Sequence, residues 1–303
     1  MHDTSFCRQD VDKVEVSECA VGDEFWEGYI LRGEFDLTLD AKEFESEACM
    51  KFIQIVPRAG AFVLISLLSA NASVENRVPD IPAHGRAIVL FDGTSLNHFD
   101  TFLKSKGLNQ DPEHVFRVED GAIHISGTEM GYLITRDSYH DFYLRAEFKW
   151  GEGTYGVREG KARDSGILYN VQGENKVWPR SIEFQITEGG TGDFWMTDGA
   201  ALTGADGKRV EAPAGKALKI DHFGKGPSQD VVGFRDSVGD LERPRGEWNV
   251  LELVADGNDI KQYVNGKLAN EGKDATPAEG MILFQSEGAE VYFRDIRLYP
   301  LLR

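Results

Sequence analysis

The stretch FYLRAEFKW, residues 142–150, alternates without a break. Phe142, Leu144, Ala146, Phe148 and Trp150 fall on one side, and Tyr143, Arg145, Glu147 and Lys149 on the other. A period of two marks a β-strand with one face in a core and the other toward solvent or a groove. SIEFQIT (181–187) repeats the pattern, with Ile182, Phe184 and Ile186 opposite Ser181, Glu183, Gln185 and Thr187. Working outward, VFRVEDGAIHIS (115–126) alternates across Asp120-Gly121, a hairpin signal. WNVLELVADGNDIKQYVNGKL (248–268) reads as two strands around a glycine-containing turn, followed by a tight turn at Asn265-Gly266. MILFQSEG (281–288) and VYFRDIRLYPL (291–301) supply two closing strands. So many short strands separated by turns predict an all-β antiparallel sandwich.

Composition agrees. The 33 glycines and 11% aromatic residues suit a β protein. A formal charge of −18 argues against a nucleic-acid partner, which needs a basic surface. Residues 1–49 carry 14 Asp/Glu against 4 Lys/Arg, so most of that charge sits before Met50. Cys7, Cys19 and Cys49 lie there too, which leaves the remainder without a disulfide, a cysteine metal site or a thiol nucleophile.

From Met50 the chain has the order of a secretory signal. Lys51 and Arg58 supply positive charge, Ala59–Leu68 a short apolar run, and Ala70-Asn71-Ala72 a small-x-small cleavage pattern. The run is too short to anchor the protein in a bilayer, and a buried helix or strand is the plainer alternative. On the signal reading, translation starts at Met50, residues 1–49 are an untranslated or disordered acidic segment, and 50–72 direct export to the periplasm or beyond. Residues 73–86 then form a polar, proline-containing linker, and 87–303 fold as one domain.

The polar strand faces are where chemistry can reside. Around Glu183 and Gln185 the sequence NKVWPRSIEFQITEGGTGDFWMTDG (175–199) brings Trp178, Arg180, Glu188, Asp193 and Trp195 close along the chain. Indole faces stack on the C–H faces of sugar rings while carboxylates and amides bind hydroxyls, so carbohydrate is the ligand this mixture suits. A solvated outer face is the bland reading of the same rows. Glu183…Glu188 also approaches the E-x-D-x-x-E pattern of retaining β-glucanases, which need two carboxyls about 5–5.5 Å apart. The middle acid is replaced by Gln185, and residues five apart on a strand face opposite ways.

The motifs LFDGTSLNHF, YLITRDSYHDFYLRAEFKW, DSGILYNV, WPRSIEFQI, GDFW and ILFQSEGAEVYFRDIRLYPL occur in an order that resembles the 3-keto-disaccharide hydrolase family, from about Ala87 to Leu302. The resemblance implies a concanavalin A-like lectin/glucanase jelly roll, a signal peptide, and cleavage of 3-keto-glycosides. In that chemistry a base removes the acidified C2 proton, the C1 substituent departs, and water adds. It also implies a divalent metal, with Glu183, Asp193 and His222 as the matching ligand candidates. Glu183 is the first candidate for base, with Lys149 or Arg180 polarising a carbonyl. Gln185, Arg145, Glu147, Tyr169, Asn170, Trp178 and Trp195 are expected to hold the sugar, with Arg145, Glu147 and Lys149 lining the same groove. Asp164 stands where relatives often have Asn, and Asn170 where many have His. A non-catalytic carbohydrate-binding module is the alternative.

Overall fold

The computed structural model describes residues 79–303 and, as a unit of its own, three strands: Val14–Val21, Glu24–Leu31 and Gln54–Ile55. The first two pair antiparallel, with Val14 opposite Leu31, and Gln54–Ile55 runs parallel to Glu24–Leu31. The expected export signal, the boundary at residue 49 and the first part of the linker otherwise lie outside the described residues.

Residues 79–303 form two antiparallel sheets. One has ten strands, in the order Arg209–Glu211, Ala201–Gly204, Lys267–Thr276, Asp259–Val264, Asn249–Asp256, Phe142–Thr154, Ala289–Pro300, Ala122–Ile125 and Phe116–Glu119, with Ile88–Phe91 also paired to Ala289–Pro300. The other has eight: Ala217–Ile220, Phe194–Thr197, Arg180–Thr187, Asp164–Gln172, Met281–Ser286, Gly131–Thr135, Phe99–Leu103 and Gly107–Leu108. The last long strand, Ala289–Pro300, is therefore interior, between Phe142–Thr154 and Ala122–Ile125. Among the described residues no helix is long and apolar enough to cross a membrane.

The expected alternation sets which side of each strand is buried. Leu144, Phe148, Leu251, Leu253 and Phe293 of the larger sheet meet Ile167, Tyr169, Ile182, Phe184 and Phe284 of the smaller in one core. Phe284 and Phe293 bridge the sheets edge-to-face with ring centroids 5.1 Å apart, a favoured aromatic geometry. A second cluster, Tyr132, Ile134, Leu168, Val171 and Leu283, lies on the outer side of the smaller sheet, where Tyr132 Oη donates to Asn175 of the 173–179 loop. The described end of the expected linker is not loose. Gly85 N–H donates to Pro300 O, and Leu302 N–H to Ala83 O.

Candidate active site

Strand pairing builds the site from three cross-strand rows on the outer face of the eight-stranded sheet. Leu283, Leu168, Glu183, Trp195 and Lys219 stand in register across five neighbouring strands. The next row carries Gly166 opposite Gln185, and the one after it Asp164 opposite Thr187. Alternation forces this grouping: with Ile182, Phe184 and Ile186 in the core, Glu183 and Gln185 must point the other way.

A cavity of about 190 Å³ opens on this face. Gln185, Asp164, Trp195 and Lys219 contribute from the sheet, Asp193 from the turn just before Phe194–Thr197, and Arg158, Lys225 and Ser228–Asp230 from two connecting segments. The four acids that line it are all engaged. Asp164 pairs with Arg158 and accepts from Gln185 Nε2. Asp230 also pairs with Arg158, at 3.3 Å. Glu188 holds the buried Arg163 at 2.6 Å and accepts the backbone N–H groups of Arg163 and Gly233. Asp193 pairs with Lys225 and accepts the His222 backbone N–H at 2.9 Å.

Glu183 differs. It is 5% exposed, lies directly across from Trp195, and its Oε1 is buried without a hydrogen-bond partner. Space for that oxygen comes from Gly166: a Cβ there would overlap Glu183 Oε1 and stand 2.9 Å from Gln285 Oε1, itself a buried atom without a partner. Burial, reinforced by the negative charge of Glu287, pushes the Glu183 carboxyl well above its ordinary value. Burial likewise raises Glu287 to about 7, with the Arg158 guanidinium pulling the other way.

Several expected site residues lie elsewhere. Arg145, Glu147 and Lys149 do not share a groove with Glu183, because Phe142, Leu144 and Phe148 point inward from the ten-stranded sheet and these three point out from its far side. There Arg145 and Arg294 each pair with Glu147 at 2.7 Å, and Lys149 Nζ sits 5.0 Å from the Trp248 ring and 4.8 Å from Tyr292. Lys149 is thus separated by the whole core from any carbonyl bound at Glu183. Tyr169 is in the core between the sheets, 0% exposed, rather than at a sugar. Asn170 occupies a left-handed position (φ 54°) at a bulge and donates to Pro277 O. Arg180 opens its strand near Asp198 and Gly199, outside the cavity lining. Trp178 is 45% exposed on the 173–179 loop and, unlike Trp195, does not line the cavity.

Two of the three expected metal ligands, Asp193 and His222, are engaged within the protein. Asp193 Oδ1 is 2.7 Å from His222 Nδ1, and Gly239 O is 3.1 Å from His222 Nε2, so both ring nitrogens already face oxygens of the protein. The other Asp193 oxygen is taken by Lys225. Among the described residues no three His, Cys, Asp or Glu side chains group as a metal site. Glu188, the second acid of the glucanase pattern, is held by Arg163 and is not available as a nucleophile or acid.

Arg158, Lys219, Lys225 and Glu287 were not anticipated from the sequence. For Glu287 a signal exists: in Phe284-Gln285-Ser286-Glu287 the outward positions are polar, as they are in Ile182-Glu183-Phe184-Gln185. Arg158 closes a single 3-10 turn, Gly156–Arg158, and Lys225 sits in an irregular segment, so neither has a period to read.

A two-sheet antiparallel sandwich with a polar, carboxyl-bearing cavity on one outer face is the class these features define. Residues 86–299 match the 3-keto-alpha-glucoside-1,2-lyase-like domain, and the chain belongs to that family. No curated protein matches it. Among solved structures it is similar to a Parabacteroides distasonis ATCC 8503 protein assigned to the glycosyl hydrolases (19% identity, 71% of this chain and 94% of that one, TM-score 0.46). It is also similar to LamAcat from Zobellia galactanivorans (11%, 72% and 97%, TM-score 0.42) and to carbohydrate binding module CBM66 from Bacillus subtilis (11%, 58% and 86%, TM-score 0.39). At such identities and scores none of these bears on activity.

Proposed function

We propose that the protein cleaves 3-keto-glycosides, taking the proton from C2, expelling the C1 substituent, and returning water to complete a net hydrolysis. Family membership supports the reaction class. The observation that carries the reading is Glu183: a buried carboxyl with an unpartnered oxygen, beside an indole that lines a polar cavity. A ketone at C3 makes the C2–H acidic, and a carboxylate whose proton affinity is raised by burial is a stronger base than one in water. Trp195 offers the apolar face a pyranose ring stacks on. The cations lining the cavity, Arg158 and Lys219, supply positive potential where the enolate oxygen develops. On the same reading the chain is made from Met50 and exported, so that it meets small oxidised sugars outside the cytoplasm.

Incubation with matched disaccharides, one oxidised at C3 and one not, with and without chelator, tests the proposal. Turnover of the oxidised sugar alone is expected; turnover of the unoxidised sugar alone would overturn it. Glu183→Gln should lower the rate by about 10²- to 10⁴-fold while sugar binding persists. Wild-type binding without turnover of either sugar would identify a carbohydrate-binding module instead.

A further inference from the structure

The four acids lining the cavity are each tied to a cation; behind its Arg158 wall, on the same outer face as Glu183, stands a further carboxyl, that of Glu287. Residue 287 follows directly on the Met281–Ser286 strand. That strand pairs with Asp164–Gln172 through Ile167 opposite Phe284 and Leu168 opposite Leu283. Continued in the same register, the pairing sets Gln285 opposite Gly166 and Glu287 toward Asp164, and Ser165 Oγ donating to Gln285 O at 3.0 Å holds this end of the ladder. Next along the chain, Gly288 carries Arg158 on its α-carbon side, where a Cβ would come within 3.0 Å of Arg158 Cβ and Cγ. Arg158 in turn joins Asp164 and Asp230 in the cavity wall. Glu287 is thus placed on the side of Glu183 away from Trp195, toward the Arg158–Asp230 pair, and it stays partly exposed where Glu183 is buried.

We propose that Glu287 is a second catalytic residue, the carboxylic acid that hands a proton to the departing glycosidic oxygen while Glu183 takes the proton from C2. This rests on the reading of the reaction given above. The sugar ring lies over Trp195 and Glu183, and the substituent on C1 extends toward Glu287 and the exposed end of the cavity. In the first step the C2–H bond gives its proton to the Glu183 carboxylate, and its electron pair forms the C1=C2 bond. The C1–O bond breaks and the leaving oxygen takes the Glu287 proton. In the second step the Glu287 carboxylate takes a proton from water as its oxygen bonds to C1, and Glu183 returns its proton to C2. Both carboxyls end as they began, and one water is consumed.

The test compares two 3-keto-glucosides that differ only in the leaving group, p-nitrophenol and methanol, using the whole chain. A general acid matters when the leaving oxygen is basic and little when it is not. Glu287→Gln should slow the methyl compound by about 10²-fold or more and the nitrophenyl compound by less than about fivefold. Glu287→Asp, which keeps an acid, should hold the ratio of the two rates near that of the wild type. An equal loss on both compounds, or no loss on either, would overturn the role of Glu287 and leave the reaction intact. Failure of the wild type to cleave either compound would instead remove the reaction itself, and this inference with it.

Discussion

Gly166 offers the sharpest test of how the site is built. It lies in a strand interior, where glycine has no conformational advantage, and its use is the space it leaves for the Glu183 carboxyl. A Cβ at 166 would overlap Glu183 Oε1 and come within 2.9 Å of Glu183 Cδ and Gln285 Oε1. The carboxyl must withdraw by about 1 Å to regain ordinary contact distance. Misplacing a reacting group by that much costs about 10²-fold, or about 2.7 kcal/mol of transition-state stabilisation. Overpacking adds about 1–3 kcal/mol of destabilisation, or about 2–4 °C per kcal/mol in a domain of this size. For Gly166→Ala we therefore expect kcat/KM on a 3-keto-glucoside to fall about 100-fold, with a folded, cooperatively melting protein. Placed on Glu183→Gln, the same change should add little further loss, because the group it displaces is already disabled. Wild-type kcat/KM in Gly166→Ala, or losses that simply add in the double variant, would refute the assignment of Gly166 as the residue that seats Glu183.

Three further outcomes are expected. Glu188→Gln strands the 1% exposed Arg163 guanidinium and should cost about 3–5 kcal/mol, read as a lower Tm; replacing both partners with apolar residues should recover much of it. Trp195→Ala should raise KM by roughly 2- to 10-fold, from the loss of about 0.5–1.5 kcal/mol of ring contact, whereas Trp178→Ala should change it less than about twofold. Burial raises the Glu242 carboxyl from 4.5 to about 7, against hydrogen bonds from Thr191 and Trp150 that favour its charge. The unfolded chain therefore loses this proton from about pH 4.5 upward while the folded chain keeps it to about pH 7. Stability falls across that window and levels off above it, by an amount on the order of 3 kcal/mol. Thermal melts of Glu242→Gln should show a gain over wild type at pH 8 that is absent at pH 4; equal differences at both pH values would contradict the cause.

Alternation carried the fold because a two-sheet sandwich leaves each strand one wet and one dry side, and Phe142–Trp150 and Arg180–Thr187 state those sides residue by residue. It did not say which sheet a strand joins. Arg145, Glu147 and Lys149 show the same outward pattern as Glu183 and Gln185, yet their strand pairs with Asn249–Asp256 and Ala289–Pro300 in the other layer. Layer membership depends on partners more than a hundred residues away, which no local pattern encodes. The acids suffered for a related reason. Asp193 and Glu188 looked like reactive groups but anchor His222, Lys225 and Arg163, and those partners come from segments without any period. Glu287 lies far along the chain from Glu183, and only the pairing of Met281–Ser286 with Asp164–Gln172 brings them onto one surface.

The interior position of Ala289–Pro300 has a consequence for how the protein is made. Phe142–Thr154, already paired with Asn249–Asp256, and Ala122–Ile125, already paired with Phe116–Glu119, are joined to each other only through this segment, and Ile88–Phe91 pairs with nothing else. A growing polypeptide on the ribosome can therefore hold the larger layer only as two unjoined blocks, with open edges where they will meet, until its final residues emerge. Loss of even the terminal fifteen or so residues would split the layer through its middle rather than trim its border.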